Sequence, residues 1–465
     1  MSTALASGPQ GPDNLRPLLA TVLDALRTGA ADRPGPLPAG GPPAVAAHLR
    51  EALGDPFPEH GDDHALHTLV RAFAAGAADP AHPLCTAHLH CPPLAVATAA
   101  DLAASALNPS LDSWDQAPAA SELETLVTRA LAAEVYPPTG QTATAATAVP
   151  DALVTTGGTE SNQLALLLAR EKHPHVRLVQ AENAHHSLHR AAWLLGLPEP
   201  VTVPAPSGTM DPAALDQALT ALGGPPGTVL VAATAGTTDA GLIDPLPEIA
   251  DICETHGARL HIDAAYGGGL LLSDRHRPRL DGLSRAHTVT LDLHKLGWQP
   301  VAAGLLAVRD PHDLHPLTHH ADYLNADDDT EAGLPDLLGR SLRTTRRADI
   351  LKIAVTLRTL GRNGLGALVD QVCAHATTLA ELIAVHPHFE LYDRPAISTV
   401  LFRPAHATDA AVADVRRTLL TQGRAVLGRA RLDHRLWLKV TLLNPHTGPD
   451  DLAALLKLVE GHTAR

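Results

Sequence analysis

Between about residue 90 and residue 345 the chain alternates short β-type runs with helical stretches, and this alternation restricts the possible folds more than any other feature. The β-type runs are 152–155, VRLVQ at 176–180, 201–203, TVLVAA at 228–233, RLHI at 259–262, TVTL at 288–291 and 305–308. Helical patterns at 161–170 and 187–195 lie between them. Such alternation predicts an α/β domain built on a mainly parallel sheet. In such sheets ligands bind beyond the carboxyl ends of the strands.

The flanks differ. Residues 15–27, 44–53 and 65–75 read as helices, with a Pro/Gly-rich segment at 30–43. This N-terminal part has no apparent core of its own, so it must pack against the large domain or against a second subunit. Beyond the alternating region, 348–360 and 366–386 read as two helices. Strand-like runs follow at 397–402 and 436–442, and a last helix at 450–460, giving an α+β C-terminal domain. The expected organisation is a helical segment 1–80, a large domain 81–360 and a small domain 361–465.

Composition excludes several classes. The 465 residues exceed a single core, and 45% hydrophobic with 18% charged residues is a globular balance. A net charge of −15 without a basic stripe argues against nucleic acid. No uncharged apolar run of about 18 residues suggests a membrane span. Cys85, Cys91, Cys253 and Cys373 lack C-x-x-C spacing and fit reduced thiols. With no signal-peptide pattern at the start, a cytoplasmic protein is expected, and no metal site.

Four segments carry chemistry. Thr155–Asn162 (TTGGTESN) is a Gly-rich turn before an apolar helix. It is either a phosphate cradle, through backbone N–H groups and the helix dipole, or an ordinary capped turn. His261–Gly268 (HIDAAYGG) puts Asp263 at the end of a strand. A carboxylate there needs a cation such as a pyridinium nitrogen, or else it caps the next turn. Asp292–Trp298 (DLHKLGW) places Lys295 after another β run, 32 residues beyond Asp263. A lysine at a strand end is either solvated or a desolvated amine nucleophile. In Ala184–Ser187 (AHHS), His185 either lies flat on an aromatic ring or caps a helix.

Together, in this order, these segments resemble the group II pyridoxal 5′-phosphate (PLP)-dependent decarboxylases. So do HPLCTAHLHCPP at 82–93, LDSWDQAPAASELE at 111–124, ATAGTTDAGLIDPL at 233–246, and the later DYLN and SLRTTRRADILK segments. The resemblance covers nearly the whole chain from about residue 80. It implies an aspartate-aminotransferase type of fold (fold type I) and a homodimer with an active site at the subunit interface. It implies decarboxylation of an L-amino acid to its amine and CO2. Lys295 would carry PLP as a Schiff base, Asp263 would pair with the ring nitrogen, His185 would stack on the ring and Ala265 would touch its other face. Glu160 (through its backbone), Ser161, Thr238, Asp292 and His294 would surround the phosphate.

The sequence departs from the family in one place. Animal aromatic-amino-acid decarboxylases carry a loop tyrosine as proton donor, and Leu337 occupies that place here. Tyr323, His294 or a water are the alternatives. This keeps open an oxidative outcome giving an aldehyde. The HLHCPP and DSWDQ segments resemble the L-2,4-diaminobutyrate/lysine branch, against which an aliphatic or aromatic substrate is the alternative. A diamino acid needs a carboxylate near its distal amine, for which Asp112, Asp115, Asp322 and Asp336 are available.

Overall fold

The computed structural model describes residues 3–138, 149–321 and 323–463. Helices α1 (Gly11–Ala31), α2 (Gly41–Leu53) and α3 (Ala65–Gly76) open the chain. Helices α1 and α3 meet at Gly29, where a Cβ would stand 2.4 Å from the Arg71 carbonyl oxygen, so only glycine permits the approach. Helices α4 (Ala95–Leu107) and α5 (Pro118–Val135) precede the alternating region.

That region runs β1 (Asp151–Thr155), α6 (Gly158–Lys172), β2 (Arg177–Ala181), α7 (His186–Leu194), β3 (Val201–Val203), α8 (Pro212–Leu222), β4 (Val229–Thr234), α9 (Leu246–His256), β5 (Arg259–Ala264), β6 (Thr288–Asp292) and β7 (Gly304–Val308). These strands form one sheet in the order β1-β7-β6-β5-β4-β2-β3. Every residue of β4, β6 and β7 is buried, as expected for strands covered on both faces. All neighbours pair in parallel except β7, which is antiparallel to both β1 and β6. The first residue of β7, Gly304, therefore lies at the edge where β1 and β6 end, opposite Thr155 on one side and Asp292 on the other.

A five-residue helix, α10 (Asp327–Glu331), leads towards the long α11 (Ile350–Ala384). The two helices expected here meet at Gly361, whose φ of 63° and ψ of −179° are not helical, so 350–384 is a pair of helices joined across a kink. The chain ends with β8 (Phe389–Leu391), β9 (Thr399–Pro404), α12 (Asp409–Thr421), β10 (Gly428–Leu432), β11 (Arg435–Thr441) and α13 (Pro449–Thr463). The four strands form an antiparallel sheet, β10-β11-β9-β8, over a core that includes Phe402, Leu419, Leu438 and Leu455.

The chain divides into two compact units. One comprises Met1–Pro92, Ala374–Arg394 and Ser398–Arg465; the other comprises Pro93–Cys373 and Pro395–Ile397. In the first, main-chain bonds tie the two ends of the chain together. Thr86 N–H donates to the Val426 carbonyl at 2.9 Å, and Thr441 N–H donates to the Thr86 carbonyl at 2.7 Å. Among the described residues, no helix is long and apolar enough to cross a membrane.

Candidate active site

The chemistry-bearing segments converge at the carboxyl edge of the large sheet. The turn after β1 is built on two closely packed glycines. A Cβ on Gly157 (φ 150°) would meet the His294 ring at 2.9 Å, and one on Gly158 would stand 3.1 Å from the Ala265 Cβ and 3.2 Å from Asp292 Oδ2. Gly304 closes the corner from below, since its Cβ would lie 2.4 Å from the Gly157 Cα. Glu160 folds back on the turn, where its Oε2 accepts from Thr156 N–H at 2.6 Å and from the Thr156 hydroxyl at 2.7 Å. Its side chain is therefore committed, leaving its backbone amide in the first turn of α6, where N–H groups have no partner within a helix. The Ser161 hydroxyl is fully buried, pairs with Thr155 Oγ1 at 2.7 Å and donates to the Leu305 carbonyl at 3.1 Å. The sequence reading placed Ser161 at the phosphate; the structure turns its hydroxyl to the sheet, beneath the turn.

Lys295 follows the last residue of β6, and its Nζ lies 3.0 Å from Asp292 Oδ2. His294 Nε2 approaches the same oxygen at 3.5 Å, while His294 Nδ1 accepts from Ala303 N–H at 3.3 Å. Burial lowers the pKa of His294, with Lys295 and Lys352 adding to the shift against Asp292, so its ring is neutral. Asp292 Oδ1 is buried and takes no hydrogen bond among the described residues.

Asp263 sits near the end of β5, 5% exposed. Its Oδ1 accepts from Ala265 N–H at 3.1 Å and its Oδ2 from the Asn162 amide at 2.7 Å. One oxygen of Asp263 therefore caps the turn, and the carboxylate still has lone pairs to offer a cation. His185 is the N-cap of α7 through Nδ1, which accepts from Ser187 N–H at 3.4 Å. Burial lowers its pKa too.

Sequence reasoning missed the side chains behind these residues. Asn162, fully buried, donates to Asp263 and to Ser187 Oγ (2.9 Å) and faces His261 Nε2 (3.0 Å) and Thr290 Oγ1 (2.8 Å) through its oxygen. His261 Nδ1 lies 2.9 Å from Thr288 Oγ1. Burial depresses the His261 pKa from 6.5 to about 4, so this ring is neutral near pH 7. One signal was available: His261 and Asp263 alternate on β5, and the register sets them opposite Thr288 and Thr290 on β6. Four polar residues on one face of two buried strands imply a partner above them.

The cationic segment 340–352 is anchored just outside this cluster. Arg340 makes a two-pronged pair with Asp151 (2.8 and 2.9 Å), and Arg343 Nε meets Glu160 at 3.2 Å. Arg346 pairs with Glu124 through both nitrogens (3.1 and 2.9 Å), and their side chains are 2% and 0% exposed. Arg347 Nη1 meets Asp101 at 2.6 Å, and the buried Lys352 meets Asp349 at 3.1 Å.

Other expected residues lie in turns and loops. Thr238 is on the exposed turn after β4. Tyr323 is 83% exposed. Leu337 is buried against Leu111 and Ala117. Of the acids considered for a distal amine, Asp112 is 5% exposed and accepts from the Gln116 amide at 3.0 Å. Asp115 is exposed, Asp336 caps the main chain at Leu338 N–H (2.7 Å), and Asp322 is outside the described residues.

A buried carboxylate with open lone pairs, a lysine amine beside a second carboxylate, an imidazole and a glycine cradle at a helix N-terminus match the functional groups of PLP: ring nitrogen, aldehyde, ring face and phosphate. The comparisons agree. Residues 47–405 match the pyridoxal-dependent decarboxylase conserved domain, and the chain belongs to this family. It is a PLP-dependent amino-acid decarboxylase of fold type I. It is 41% identical over 427 residues to the L-2,4-diaminobutyrate decarboxylase of Rhizobium meliloti (strain 1021), spanning 88% of this chain and 84% of that one. To the L-2,4-diaminobutyrate decarboxylase of Acinetobacter baumannii it is 32% identical over 440 residues, 87% of this chain and 84% of that one. Among solved structures it resembles the glutamate decarboxylase domain of diaminobutyrate-pyruvate transaminase and L-2,4-diaminobutyrate decarboxylase from Vibrio parahaemolyticus. That match has a TM-score of 0.85 at 30% identity and covers 99% of this chain and 97% of the other.

Proposed function

We propose that this chain removes the α-carboxylate of L-2,4-diaminobutyrate, or of a related diamino acid such as lysine, as CO2 and releases the diamine. The observation that carries the reading is the 41% identity, over 88% of the chain, to a decarboxylase of that substrate. When bound, PLP supplies an aldehyde for covalent attachment and a ring that draws electrons from Cα. Lys295 Nζ is the amine that attaches it, and Asp292 at 3.0 Å holds that amine in place. Asp263 would keep a proton on the ring nitrogen, and His185 and Ala265 would hold the ring between them. Backbone amides of the turn through Glu160, with Thr238 and His294, would hold the phosphate, and Ser161 braces the turn from below. Lys295 Nζ, held by Asp292, would return the proton to Cα, with Tyr323 as the alternative donor. Asp112, the buried acid among the described candidates, receives the distal ammonium.

The test is a panel of amino and diamino acids with the PLP-loaded protein, each assayed for amine product by mass spectrometry. L-2,4-diaminobutyrate is expected to be turned over fastest, and an unchanged carbon count in every product would refute the reading. A second reading, decarboxylation coupled to O2 uptake with an aldehyde product, draws on the apolar Leu337 at the place of the loop tyrosine. An oxygen electrode in the same assay separates the two.

The protein is further proposed to act as a cytoplasmic homodimer with residues 1–80 at the interface. Leu18, Leu23 and Leu26 of α1 and Phe73 of α3 are exposed in a single chain, which supports this. A stable, active monomer by light scattering would refute it.

A further inference from the structure

The direction of each hydrogen bond behind Asp263 can be read from the donors that have no choice. An amide nitrogen only donates, and Asn162 Nδ2 stands 2.7 Å from Asp263 Oδ2 and 2.9 Å from Ser187 Oγ. The opposite amide orientation would press its oxygen against a carboxylate. Asn162 Oδ1 must therefore receive hydrogens from Thr290 (2.8 Å) and from His261 Nε2 (3.0 Å). His261, neutral because it is buried, then accepts the Thr288 hydroxyl at Nδ1 (2.9 Å).

The same logic continues to His185. Ser187 Oγ already accepts from Asn162, so its own hydrogen is available for His185 Nδ1, 2.8 Å away. The Ser187 backbone N–H also points at that nitrogen, at 3.4 Å. An N–H cannot be aimed at another N–H, so His185 Nδ1 carries a lone pair. The single proton of a neutral His185 ring is then on Nε2. Among the described residues, Nε2 has no hydrogen-bond partner.

We infer that Asn162 and Ser187 are positioning residues that lock His185 as its Nε2–H tautomer, so that His185 meets the substrate as a hydrogen-bond donor and not as a base. One amide thereby fixes two separate groups, the Asp263 carboxylate directly and the His185 proton through Ser187. This rests on the PLP-decarboxylase reading of the site. The substrate atom that suits such a donor is an anionic oxygen, such as that of the α-carboxylate.

The experiment compares the PLP-loaded wild type with Ser187→Ala, Ser187→Thr and Asn162→Leu, measuring PLP affinity by absorbance titration of the apoprotein, thermal stability, kcat and KM. Ser187→Ala removes the hydroxyl donor and is expected to lower kcat by about tenfold or more while PLP affinity stays at the wild-type value. Ser187→Thr keeps a hydroxyl and should recover most of kcat. Asn162→Leu, which touches both groups, should weaken PLP binding as well as kcat. A wild-type kcat in Ser187→Ala would overturn the inference. So would a kcat loss that threonine does not restore, or a loss that merely tracks reduced PLP affinity and stability. If the wild type itself neither binds PLP nor releases CO2, the functional reading fails instead.

Discussion

Around Asp263 the polar groups are mostly neutral, an amide, two imidazoles and three hydroxyls, joined by directional hydrogen bonds. Along residues 340–352 they are charged, and Arg340, Arg343, Arg346, Arg347 and Lys352 each meet an acid. Both regions belong to the same unit. The neutral cluster gains no Coulomb energy from distant charges, but its bonds are directional, so it sets where protons sit. The ion pairs are long-range and tolerant of angle. What they fix is the course of a segment with little regular structure of its own. Loss of a member should therefore be felt as lost turnover in the first region and as lost stability in the second.

The largest effect should come from the residue that the neutral region serves. Lys295→Ala is expected to lower CO2 release by on the order of 10³–10⁴-fold, to abolish borohydride-fixable PLP by mass spectrometry, and to leave the melting temperature of the apoprotein unchanged. Next comes the charged region. Arg346→Met strands Glu124, whose side chain is 0% exposed, and should cost about 3–5 kcal/mol in urea unfolding. The double variant Arg346→Met/Glu124→Leu should recover most of that, because no buried charge is left unpaired. If the double variant is as unstable as the single, the pair holds shape in a way charge does not explain.

Smaller effects sharpen the contrast. Burial holds His261 near 4 against an ordinary 6.5. Between these values the unfolded chain binds a proton that the native chain does not, so stability falls as pH drops from about 6.5 to about 4, by up to ~1.4 kcal/mol per unit. His261→Gln should flatten that slope relative to wild type when urea midpoints are compared at pH 7, 6 and 5. Least of all, Arg343→Gln should change stability by about 0–1 kcal/mol, since the Arg343 side chain is 35% exposed. A larger change in urea unfolding would place Arg343 with Arg346.

Much of this was legible in the chain. The sheet strands announce themselves through short apolar runs bounded by turn residues. The Gly157-Gly158 turn, Asp263, His185 and Lys295 stand in local motifs whose chemistry needs no distant partner to be noticed. What escaped notice was relational. Nothing local says that β7 slots between β1 and β6, or that Asn162, one polar residue in the run NQLALLLA, spans two strands and a helix start. The strands β8 and β10 escaped because three and five residues with partly exposed faces carry too little periodicity.

Gly304 touches a different matter. Because β7 lies between β1 and β6 at this residue, Thr155 and Asp292, the last residues of those two strands, are held two strand spacings apart, roughly 9–10 Å at about 4.8 Å each. That distance is a main-chain repeat, a ruler whose graduations no side-chain substitution can stretch. A ligand gripped at both marks is gauged by its length before its chemistry is tested.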